Sequence, residues 1–286
     1  MSRAHIAYYA LDPEAKTKLS LKPRGYPLSW STQGIGTVLT LLVLALLWEL
    51  AAWWQDNPLL LPSCSRALLT LWQETVNGQL PGRSLNSLTL LIQAYLLGVL
   101  ISAVFTVTAM TTRWGQTLLS TLTAMFNPLP AIALLPLAML WFGLGQESLI
   151  FVILHSVVWP LALNAHSGFQ SVSPTLSLVG RNIGLGSLRL TLFILIPAAL
   201  PAIFSGLRIA WAFAWRTLIA AELVFGAASS GAGGLGWYIF QNRNELNTDQ
   251  VFAGLICVIL IGLLIEQLVF ETLERLTMQR WGMKNR

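Results

Sequence analysis

Charge is what this sequence has least of. Asp, Glu, Lys and Arg make up 10 % of the 286 residues and apolar residues 55 %, where soluble domains average about 25 % and 45–50 %. Such a chain cannot cover itself with a water-compatible surface, so the composition points to an integral membrane protein. Cysteine is almost missing. Cys64 and Cys257 stand alone, with no C-x-x-C, which argues against a disulfide framework and a metal site. No G-x-x-x-x-G-K-[ST], H-E-x-x-H or G-x-S-x-G occurs, so a P-loop is excluded and no catalytic residue, metal or cofactor is expected. The chain is therefore not read as an enzyme. Residues 1–33 do not resemble a cleaved signal, because the first apolar block starts late and runs long. The net charge of +5 forms no basic stripe with interleaved aromatics, which argues against nucleic acid.

What is present is apolar runs of membrane-spanning length. A helical span needs about 20 apolar residues, and six segments qualify: 35–54, 85–110, 118–141, 149–165, 200–225 and 251–270. The expected fold is all-α and polytopic. A cytoplasmic N-terminal segment covers 1–33, a transmembrane domain 34–273 and a cytoplasmic tail 274–286. Pro128, Pro130 and Pro136 interrupt the third run.

With both termini inside, Arg3, Lys16, Lys18, Lys22, Arg24, Arg113, Arg181, Arg189, Arg275, Arg280, Lys284 and Arg286 are cytoplasmic. Only Arg66, Arg83 and Arg243 are outside, and this positive-inside bias sets the orientation. Trp30, Trp48, Trp53, Trp54, Trp141 and Trp237 fall near span ends, as an aromatic belt requires.

The cytoplasmic loop between the fourth and fifth runs, about 166–189, is too long for a tight turn. Ser173-Pro174 can open a helix as N-cap and first residue, and Gly184 and Gly186 can end it. Leu176, Leu178, Val179, Ile183 and Leu185 recur near helical spacing. Such a helix suits docking to a protein, lying on lipid, or plain connection.

Here the residues resemble the permeases of bacterial ABC importers. Their cytoplasmic motif reads E-A-A, three residues, G, nine residues, I-x-L-P. Leu178-Val179-Gly180 stand at E-A-A, Gly184 at the G, and Ile194 with Ile196-Pro197 at the end. The spacing is kept, although E-A-A itself is replaced. Pro128-Leu129-Pro130, Leu135-Pro136 and Trp141-Phe142-Gly143-Leu144-Gly145 resemble the third-span region of the nitrate, sulfonate and taurine permeases. So do Leu200-Pro201, Ser205-Gly206-Leu207-Arg208-Ile209, the segment Ala214–Glu222, Gly234-Leu235-Gly236 and Thr248-Asp249. The resemblance covers roughly residues 35–275.

It implies one of two membrane subunits, a homodimer, forming the path for a small anion. It implies two copies of a separate ATP-binding cassette subunit, docked on the loop through Leu178, Val179, Gly180, Arg181, Gly184, Leu185 and Gly186. It also implies a periplasmic or lipid-anchored solute-binding protein. Lipid is the remaining partner.

Ionisable residues within spans cost roughly 2.5–3.5 kcal/mol on insertion scales and mark candidate sites. Arg216 lies mid-span. It either faces the path, where its fork of donors matches an oxyanion, or pairs with Glu222, Glu147 or Asn164. Glu222, near the outer end, is expected to be half-solvated and to make a structural hydrogen bond, and is also a candidate for the translocation path. Arg208 is expected to snorkel or to cap carbonyls of the loop helix, and His155 to be a satisfied interior histidine. His166 and Asn164 are candidates for an inner gate, and the proline cluster, with Pro130 and Pro136, for a wall of the passage. Midplane charges and broken helices also suit a self-sufficient secondary transporter, the alternative reading.

Overall fold

The structure is a computed structural model and describes residues 30–225, 233–274, 276 and 277. Most of the expected N-terminal segment, residues 226–232 of the glycine-rich loop and most of the C-terminal tail lie outside the described residues. Two units are distinguished, 1–51 and 52–286. The first is described as most of one helix, α1 (Trp30–Gln55). This helix has no proline and is rich in long aliphatics, and Ile35, Leu39, Leu42 and Leu46 along it are exposed.

The second unit has helices joined by short turns and no strand among its described residues. It runs α2 (Cys64–Val76), α3 (Gln79–Thr111), α4 (Arg113–Phe126), a 3₁₀ turn (Ala131–Leu134), α5 (Leu135–Phe142), α6 (Gln146–Gln170) and α7 (Pro174–Asn182). Then follow α8 (Ser187–Leu190), a π-helical turn (Thr191–Leu195), α9 (Ile196–Phe225), α10 (Leu235–Asn244), α11 (Thr248–Ile265), a second π-helical turn (Glu266–Glu271) and α12 (Thr272–Glu274). Among the described residues five helices are long and apolar enough to cross a membrane, or six if a bent pair counts as one span.

That pair is the third expected span. It is not one interrupted helix: α4 and the segment 131–142 meet at 89°. Pro128 and Pro130 each remove a backbone donor; Asn127 still caps α4 in helical conformation, and the backbone becomes extended at Pro130, so the chain turns instead of kinking.

Helix α6 is the centre. Val152, Ile153 and Val157 on it are buried, with Leu91 and Ala94 of α3 and Ala210, Ala214 and Leu218 of α9. Between apolar helices in lipid, close van der Waals fit and small residues drive association. A Cβ on Gly98 would come within 2.8 Å of Val157, and one on Gly206 within 2.8 Å of Asn164 Cβ. Tyr95 of α3 donates to the Leu207 carbonyl of α9 at 2.9 Å.

Helices α2 and α10 lie in segments read from sequence as plain outer connections. Ser63 caps α2, accepting from the Arg66 amide at 3.3 Å. Thr70 of α2 donates to Asp249 in the first turn of α11 at 3.2 Å, and Thr248 donates to the Leu59 carbonyl at 2.8 Å. Arg208, expected to snorkel or to cap the loop helix, meets carboxylates instead of loop carbonyls. It pairs with Glu266 and, at 3.4 Å, with Glu274, tying α9 to the end of the last span.

Candidate functional site

Where α4 ends and the chain turns, a cavity of about 400 Å³ opens between the bend, α6 and α9. Phe126, Pro128 and Pro130 wall it from the bend, His155, Trp159 and Asn164 from α6, and Ile209, Phe213 and Thr217 from α9. Pro130 and Asn164, both expected on a passage, thus meet here. Pro136 is not in the wall; it sits in the first turn of α5, where a missing amide costs little. Asn164 Nδ2 donates to the Pro160 carbonyl at 2.7 Å.

An aromatic group flanks the cavity. Phe126 stacks on Trp159 with ring centroids 5.2 Å apart and 15° between planes, and stands edge-on to His155 at 6.0 Å. His155 and Trp159 are one turn apart on α6 and face the same way. His155 is not the satisfied histidine expected. Both its ring nitrogens, and the Trp159 indole nitrogen, are buried and find no hydrogen-bond partner among the described residues. Trp159 drew no notice in the sequence; the His-x-x-x-Trp spacing was the available signal.

Arg216 forms no ion pair among the described residues. Its Nε donates to the Ala212 carbonyl of its own helix at 3.0 Å, and its guanidinium lies 5.0 Å from the Phe213 ring centroid. The side chain is exposed in the single chain. It lies between Phe213 and Thr217, both cavity residues.

Glu222 is elsewhere. It is 5 % exposed, not half-solvated, and is not among the cavity residues. Ser87 of α3 donates to its carboxylate at 2.9 Å, and the Gly236 amide does so at 2.8 Å. Ser87 Oγ in turn accepts from the Leu235 amide at 2.9 Å, and Arg83 donates to the Gly233 carbonyl at 3.0 Å. A carboxylate at the first amides of α10 satisfies donors that a helix start leaves open. Glycine is required at 236 because a Cβ would sit 2.6 Å from the Glu222 Cβ and the Ile219 carbonyl.

Between α6 and α9, α7 begins at Pro174 as expected. Ser173 Oγ accepts from the Thr175 amide at 3.3 Å. It ends at Gly184, with φ of +81°. The Gly184 amide returns to Arg181 and the Leu185 amide to Gly180, both at 3.0 Å, a Schellman closure. Gly180 is buried, and a Cβ there would lie 2.7 Å from Ile194. Leu178, Val179, Arg181 and Ile183 face outward.

Residues 94–270 match the family described as binding-protein-dependent transport system inner membrane component. The chain belongs to that family. The permease is similar to the aliphatic sulfonates transport permease SsuC of Escherichia coli (strain K12), 36 % identical over 171 residues, 59 % of this chain and 62 % of that one. It is similar to the taurine transport system permease TauC of the same organism, 31 % identical over 268 residues, 88 % of this chain and 91 % of that one. It is also similar to the nitrate import permease NrtB of Leptolyngbya laminosa, 34 % identical over 140 residues, 49 % of this chain and 48 % of that one. The expectation of an ABC importer permease of the nitrate, sulfonate and taurine group holds. The family is one of transport permeases, not of enzymes.

Proposed function

We propose that this permease forms the path for a small oxyanion and is driven by separate ATPase subunits that dock on the loop around α7. The observation that carries this is α7 itself: a capped, Schellman-closed helix between two spans that turns Leu178, Val179 and Ile183 outward. Its buried face is filled by its own chain at Gly180. Exposed aliphatics on a short rigid helix suit the helix-in-groove mode of protein recognition. The replaced E-A-A residues therefore still offer contact area, with Arg181, Gly184, Leu185 and Gly186 setting the charge and the turn.

The substrate class rests on the relatives, permeases for sulfonates, taurine and nitrate. Two permease copies, two ATPase copies and a periplasmic or lipid-anchored binding protein complete the assembly, with both termini cytoplasmic. Pro130 and Asn164 line the path and Arg216 stands at its edge. Glu222 and Pro136 serve it indirectly, by holding α10 and starting α5. The test is co-purification in mild detergent followed by uptake into vesicles. An ATPase should be retained, and uptake of ethanesulfonate or nitrate should require ATP and the binding protein. Gradient-driven uptake by the permease alone would refute the reading.

A further inference from the structure

The three orphaned nitrogens of His155 and Trp159 need an explanation. Buried polar groups are almost always hydrogen-bonded, and each exception marks strain, function or a missing partner. An unmet donor is costlier still at membrane depth. These three lie on one face of α6, in two side chains of the cavity wall. The indole nitrogen is donor-only, and an imidazole always carries at least one N–H. The wall therefore holds at least two unspent donors. Thr217 brings a hydroxyl to the same cavity, and Arg216, next to it on α9, lies on the ring of the cavity residue Phe213. What such a set lacks is an acceptor of negative charge. Phe126 and Phe213 supply apolar walls that suit a short hydrocarbon chain.

We infer that His155 and Trp159 form an anion-binding subsite in the permease, one that takes a small oxyanion with its charged end at the α6 donors and any alkyl tail along Phe126 and Phe213. The subsite rests on the reading of the chain as an importer permease and adds to it where the substrate is held within the membrane subunit. Phe126 covers the donors in this state. Its ring stacks on Trp159 and meets the edge of His155. It is also the last residue of α4, beside the 89° turn. Binding therefore requires this ring to move aside and uncover the nitrogens.

The test uses the full permease with its ATPase subunits in nanodiscs. Equilibrium binding of radiolabelled ethanesulfonate is measured, with nitrate and ethanol as competitors. Ethanesulfonate should bind saturably, nitrate should compete and ethanol should not. Trp159→Phe keeps the stacked ring and removes only the N–H. It should weaken binding about tenfold or more, the usual effect of losing a hydrogen bond to a charged group. His155→Leu should do the same, and His155→Gln, which keeps a donor, should recover part. A structural role for the indole nitrogen predicts unchanged binding in Trp159→Phe. Unchanged binding in both Trp159→Phe and His155→Leu overturns the subsite. So does a wild-type complex that, in vesicles with its binding protein, shows ATP-dependent uptake but in nanodiscs shows no saturable anion binding; in that case the importer reading stands and the donors are met by water. Absence of ATP-dependent uptake counts against the importer reading instead.

Discussion

At the scale of single residues, two ionisable groups that look alike in sequence have opposite roles. Glu222 is enclosed and fully used, accepting from Ser87 and from the first turn of α10. Ser87→Ala strips one donor from that carboxylate and leaves the Leu235 amide without its acceptor. A loss of about 1–3 kcal/mol is expected for an unmet buried group of this kind, read as a lower melting temperature of the purified permease. Gly236→Ala forces a Cβ against the Ile219 carbonyl and should lower it by a similar amount, since overpacking costs about 1–3 kcal/mol. Arg216, by contrast, is held by one bond within its own helix. Arg216→Ala is expected to leave assembly and basal ATPase activity intact while uptake into reconstituted vesicles falls. Arg216→Lys should recover part of it, because a point charge lacks the bidentate fork. Loss of assembled complex in Arg216→Ala would mean that the side chain holds the structure.

At the scale of elements, the loop helix was the most legible part of the chain. Ser173-Pro174 and Gly184 mark its ends because capping and positive φ each demand particular residues, and the structure uses them in those roles. Any side chain at 184 meets a left-handed backbone that costs non-glycine residues roughly 1–2 kcal/mol, before contact with a partner is considered. Gly184→Asp is therefore expected to uncouple ATP hydrolysis from uptake or to prevent assembly. Wild-type uptake by the assembled variant would remove α7 from the coupling role. The third span was less legible. Pro128, Pro130 and Pro136 signalled a break, but whether a proline kinks a helix or turns the chain depends on what packs beside it. Here the turn leaves room for Phe126 to lie on α6. Helices α2 and α10 were missed for a related reason. Their stability comes from contacts with distant residues, Asp249 for α2 and Glu222 with Ser87 for α10, not from a long apolar repeat.

At the scale of the whole molecule, the distribution of Lys and Arg predicts the orientation. A cysteine placed at Asn244, in α10, should react in intact cells with a membrane-impermeant reagent, and one placed at Arg181, in α7, should not. The background variant must lack Cys64 and Cys257. The reverse pattern would invert the topology and put the loop helix on the side without ATP. The ion pairs of Arg208 with Glu266 and Glu274 tie α9 to the end of the last span. Arg208→Met should lower stability by removing the cation that Glu266 meets, and adding Glu266→Gln should restore part of it, measured as the yield of monodisperse protein after heating.

Span number, helix class and the ends of the loop helix are local matters. They depend on twenty-residue hydropathy, on backbone donors that proline removes, and on a glycine that tolerates φ above zero, all of which can be read along one stretch of chain. The pairing of charges is not local. Arg208 finds its partners 58 and 66 residues away, and Ser87 meets Glu222 across 135. The cavity is assembled from three helices that no sequence window contains. Whether an arginine, a glutamate or a histidine within a span is spent or free was therefore decided by packing, because a buried polar group is defined by the neighbour it meets.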